Sequence, residues 1–120
     1  MPKSTDEHFS NTTTQVKMIF DELDHEILWS DSRIKRYTTS GYIAYKRRYK
    51  LIEVEVQKER LKLYLRTTDQ QMIDPLKLTS KTDKWGNLNR IVFIDPNNIP
   101  SKYTLKDIIS LVKQSINSLP

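Results

Sequence analysis

Two stretches, Leu51 to Val56 and Leu61 to Arg66, alternate apolar and polar residues, and no other feature restricts the fold as strongly. Ile52, Val54 and Val56 point one way while Glu53 and Glu55 point the other. In the second stretch Leu61, Leu63 and Leu65 lie opposite in sense to Lys62, Tyr64 and Arg66. A period of two marks a strand with one buried and one wet face. Gln57-Lys58-Glu59-Arg60 between them has the length of a hairpin connection. Across the polar face the Glu row meets the Lys, Tyr and Arg row, so opposite charges can pair at about 0.2–1 kcal/mol each.

The flanking segments supply what such a sheet needs. Val16, Ile19, Phe20, Leu23 and Ile27 recur at helical spacing, predicting an amphipathic helix from about Thr13 to Leu28, capped by Thr12 or Thr13. Leu105, Ile108, Ile109, Val112, Ile116 and Leu119 form a longer stripe, opened by Thr104 with Asp107 three residues on. Arg33 to Thr39, Tyr42 to Arg47 and Leu88 to Ile94 read as further strands, and Asp95-Pro96-Asn97-Asn98 as a turn. Thr67 to Asn87 reads as a long loop with a short helical turn at Asp69 to Ile73. The expected fold is therefore α+β: one antiparallel sheet of about five strands, with an N-terminal and a C-terminal amphipathic helix packed on it. Residues 1–12 are expected to be a flexible tail and residues 13–120 a single domain.

With 120 residues and 37% hydrophobic content, the chain can build one core without metals or disulfides. It has no cysteine, no apolar run suited to a signal peptide and no membrane-spanning stretch, so the expected location is the cytoplasm. Two glycines cannot make a phosphate-cradling loop, and His8 and His25 are not spaced as metal ligands. The residues show no catalytic constellation and imply no cofactor or metal, which leans away from an enzyme.

Charge is unevenly placed. Residues 1–30 hold 2 basic and 6 acidic side chains, whereas residues 31–66 hold 11 and 4. Tyr42, Tyr45, Lys46, Arg47, Arg48 and Tyr49 interleave rings with cations, a combination that suits stacked bases and phosphates. In a strand, Ile43, Tyr45 and Arg47 face one side and Tyr42, Ala44 and Lys46 the other. The reading that follows is a non-enzymatic binding domain recognising nucleic acid or an acidic partner. Tyr45, Lys46, Arg47, Lys58 and Trp85 are its candidate contacts. Two alternatives stand beside it: a protein-interaction or homodimerisation module, and a metal-dependent nuclease using Glu53, Glu55 and Lys58.

Several short motifs carry a resemblance: Ile43-Ala44-Tyr45-Lys46-Arg47, Gln57-Lys58 with Leu61, Leu63, Tyr64 and Leu65, then Asp74-Pro75, Trp85-Gly86 and Gln114-Ser115. The chain resembles, from His8-Phe9 to Ile116, the domain-of-unknown-function family five-six-five-five, often labelled "predicted transport protein". The resemblance implies a compact domain occurring alone or appended to proteins of bacterial-type modification-dependent restriction and other DNA-processing systems. The transport label draws no support from these residues. Where the family commonly has Gly-His-Trp-Gly, this chain has Asp83-Lys84-Trp85-Gly86, and Asn87-Leu88-Asn89-Arg90 lacks the usual Gly-Asp.

Overall fold

In this computed structural model the described residues are 2–67, 72–82, 88–97 and 105–117. The alternating hairpin forms at the centre of the sheet. β3 (Tyr49–Val56) pairs antiparallel with β4 (Leu61–Leu65), Val54 opposite Leu63 and Glu55 opposite Lys62. β1 (Lys35–Thr38) and β2 (Ile43–Arg47) extend it on one side. On the other side lie β6 (Arg90–Ile94) and then β5 (Thr79–Lys81), giving the order β1-β2-β3-β4-β6-β5 with every neighbouring pair antiparallel.

The sheet has six strands where the sequence suggests about five. The sixth is β5, inside the segment expected to be a loop. Thr-Ser-Lys is too short and too polar to show alternation; its start is organised by Asp74. That carboxylate accepts from Leu78 N–H at 2.9 Å, Thr79 N–H at 2.8 Å and Thr79 Oγ1 at 2.7 Å. The expected helical turn at Asp69 to Ile73 falls largely outside the described residues.

Between Tyr45 and Lys46 the β2–β3 register shifts: Tyr45 faces Ile52 but Lys46 faces Lys50, so Leu51 is the extra residue of a β-bulge. The tight link from β2 to β3 passes through Arg48, whose φ of 64° is left-handed.

α2 (Thr14–Ser30) begins at Thr13, whose Oγ1 accepts from Val16 N–H at 3.3 Å. Thr12, the other capping candidate, donates its hydroxyl to the carbonyls of Gln57 (3.0 Å) and Lys58 (2.8 Å) instead, tying the start of α2 to the β3–β4 turn. The segment ahead of it, expected as a tail, carries α1 (Thr5–His8), closed by a Ser4–Glu7 capping box. Phe9 is buried with its ring 4.7 Å from that of Phe20, and His8 Nε2 lies 2.8 Å from the Thr39 carbonyl.

α3 (Leu105–Ile116) follows the expected C-terminal stripe; Thr104 lies outside the described residues. Gln114 ties it to the β4–β5 connection by a two-way bond with the Ile73 backbone, 2.8 Å each way. Phe20, Leu23 and Ile27 of α2 join Ile108, Leu111, Val112 and Ile116 of α3 in one core. They pack with Ile43, Tyr45, Ile52, Val54, Leu61, Leu63, Leu65, Val92 and Ile94, which the register places on a single sheet face. Both long helices thus lie on one side. Among the described residues no helix is long and apolar enough to cross a membrane.

Candidate interface on the outer sheet face

The register also fixes what the opposite, outer face presents. Tyr37, Ala44, Glu53, Tyr64, Ile91 and Ser80 form one row across all six strands. Glu55, Lys62 and Phe93 form a second row, and Lys35, Lys46 and Lys50 a third.

Rings and cations on this face are layered. The Lys46 ammonium lies 5.4 Å from the Tyr37 ring centre, Lys50 4.4 Å from Tyr42, and Lys62 5.0 Å from Tyr64. Arg60 lies 4.0 Å and Lys62 5.8 Å from the ring of Phe93, which is 38% exposed. Outside these rows, at the β2–β3 link, Arg48 and Arg66 flank the exposed Tyr49 ring at 5.5 and 5.3 Å. Such contacts contribute about 0.5–1 kcal/mol each at exposed sites.

Glu53 sits at the centre of this face with 1% of its surface exposed. Its Oε1 accepts from Lys50 Nζ at 3.1 Å, and the same ammonium donates to the Tyr42 hydroxyl at 3.0 Å. Burial by itself lowers an ammonium's pKa, but here the bonds to Tyr42 and Glu53 prevail and hold Lys50 well above the ordinary lysine value. Lys62 is raised chiefly by its bond to Tyr64. Glu53 and Glu55 are the two carboxylates of the three rows, against Lys35, Lys46, Lys50 and Lys62, with Arg60 reaching over Phe93. The face keeps a positive balance.

The five candidate contacts separate. Lys46 is exposed on the outer face. Tyr45 and Arg47 point under the helices: Tyr45 is fully buried and its hydroxyl donates to Asp24 Oδ1 at 2.6 Å. Burial, then Asp24, pushes that hydroxyl far above the usual tyrosine pKa. Arg47 donates to Asp31 Oδ2 at 2.7 Å and to the Ile116 carbonyl at 2.8 Å. These two join strands to helices and do not reach the outer face. Lys58 is exposed at the β3–β4 turn, and Trp85 lies outside the described residues.

Tyr45→Phe is expected to cost about 1.5 kcal/mol in urea denaturation, because the hydroxyl bonds a charged partner while Arg36, 2.7 Å from Asp24, keeps that carboxylate engaged. Tyr37, Lys50, Arg60 and Phe93 complete the outer face without having stood out in the sequence as contacts. Of these, Lys50 and Tyr37 need the strand register to be located. Of the nuclease alternative, Glu53 and Glu55 lie in neighbouring rows of this face and Lys58 at the β3–β4 turn. Among the described residues no three His, Cys, Asp or Glu side chains are grouped to hold an ion.

Comparison with known proteins gives a consistent affiliation. An uncharacterized protein of Haemophilus influenzae is 27% identical over 113 residues, covering 92% of this chain. The chain spans 36% of that relative's length. No solved structure matches the chain. Residues 5–114 match the family described as Domain of unknown function (DUF5655), to which this chain belongs.

Proposed function

We propose that the domain binds nucleic acid through its outer sheet face, with Lys46, Lys62 and Arg60 contacting phosphates and Phe93 offering a ring to a base. The observation that carries this reading is the layering of cations over aromatic rings on one positively balanced face, away from both long helices. Rings stack with any base, while ammonium and guanidinium groups release counterions from the backbone. The face needs no bound metal for this, and Lys46 forms no salt bridge among the described residues.

The test is a salt titration with labelled single- and double-stranded DNA and RNA. Affinity should fall steeply as salt rises, and Lys46→Gln with Lys62→Gln should reduce the log–log slope by about 2. Phe93→Ala should weaken single-strand binding about fivefold, the lower end for a base–ring stack. Absence of binding at low salt, or binding indifferent to salt, sinks the reading. Tighter binding to an acidic polypeptide than to any nucleic acid, unaffected by Phe93→Ala, replaces it with an acidic protein partner.

A further inference from the structure

A polar concavity lies off the outer face. The N-terminal segment and the β3–β4 turn border an open cleft of about 450 Å³, lined by Lys3, His8, Asn11, Gln57 and Lys58 among others. That volume suits a small ligand. We propose that this cleft binds a phosphomonoester group.

The chemistry of the lining supports an anion. Lys3 and Lys58 both line the cleft, and among the described residues neither forms a salt bridge. Glu7 is the cleft's one acidic residue, so the two lysines outnumber it. Its Oε1 accepts the Ser4 N–H at 3.1 Å within the capping box, and that bond holds its pKa below the usual carboxylate range. Gln57 uses its amide oxygen to accept from Arg60 Nε at 2.6 Å, leaving its NH₂ as a donor. His8 is fixed by the contact of Nε2 with the Thr39 carbonyl.

The walls are also held in place, which lowers the ordering cost of a ligand. Thr12 Oγ1 bonds both the Gln57 and Lys58 carbonyls, and Thr13 N–H donates to the Lys58 carbonyl at 3.2 Å. The same turn carries Lys58 into the cleft and, two residues later, Arg60 over Phe93 on the outer face. A phosphomonoester here has two sources: a free small molecule, or the phosphorylated end of a strand whose body lies along the sheet.

Nitrogen–proton NMR titrations of the intact protein with inorganic phosphate, adenosine 5′-monophosphate and adenosine test the site. Shifts are expected for the two phosphates, confined to residues 3–12 and 56–58. Adenosine is expected to give none. Lys3→Gln with Lys58→Gln should weaken binding at least tenfold, whereas Lys46→Gln with Lys62→Gln should leave it within twofold. A failure here is therefore distinguishable from failure of the outer face. A 5′-phosphorylated oligonucleotide binding more tightly than its 5′-hydroxyl form, through Lys3 and Lys58, identifies a strand end; phosphate-dependent binding without that preference identifies a free phosphomonoester. No phosphate-dependent shift at millimolar ligand, or equal response to adenosine, overturns the proposal.

Discussion

Arg47→Ala is expected to destabilise the domain by about 3 kcal/mol, the lower end for breaking a buried ion pair. Arg47 is 8% exposed and joins three elements: β2, which carries it, the end of α2 through Asp31, and the end of α3 through the Ile116 carbonyl. Removing it takes a donor from a helix C-terminus and opens a void under both helices. Arg33 moderates the loss, since its bonds to Asp31 remain at 2.9 and 3.1 Å. Arg47→Lys should fall between, because one ammonium cannot reproduce a guanidinium fork that reaches two acceptors. Urea denaturation reads both; a loss below about 1 kcal/mol would show the junction to be energetically minor. Acid adds a direction. Bonds from Arg33, then Arg47, hold the Asp31 carboxyl well below the usual range. A depressed folded pKa contributes stability above the unfolded carboxylate value, and that contribution disappears as pH falls through the folded value.

Phe20→Ala should cost about 3–5 kcal/mol, by lost transfer energy and the cavity left behind. Phe20 is 1% exposed, and its ring lies 4.7 Å from Phe9 at a tilt of 48°. It therefore anchors both α2 on the sheet and the N-terminal segment on α2. Phe9→Ala should cost less, and the double variant should fall short of the sum by about 0.5–1.5 kcal/mol, the coupling of a ring pair. Strict additivity would mean that the segment is held by its backbone bonds and the capping box alone.

How far the sequence reveals this architecture depends on how many residues carry each signal. The β3–β4 hairpin was legible because six leucines, isoleucines and valines repeat without a break. α3 was legible for the same reason. β5 has three residues and no apolar one, so only its pairing with β6 and the Asp74 bonds reveal it. The N-terminal segment buries one ring, Phe9, and a single apolar side chain has no period.

The candidate interface was legible in composition but not in direction. Alternation correctly separates Tyr45 and Arg47 from Lys46, yet it does not say which side the helices cover. Arg47 is a cation on the buried side and Phe93 an aromatic on the exposed one, the reverse of what hydrophobicity suggests for each. Their partners, Asp31 and Arg60, become visible only with the fold.

The bulge at Leu51 decides the fate of one charge. Counting back from Ile52 by simple alternation would send Lys50 beneath the helices, into hydrocarbon; the supernumerary leucine reverses the parity and delivers the ammonium to Glu53 and Tyr42. Deleting that leucine would regularise the ladder and leave Lys50 opposite Lys46 on the wet side, so what is lost is one buried side chain and not the direction of the charge. The parity of this strand is thus set by a single supernumerary residue, which nothing in the loop lengths on either side announces.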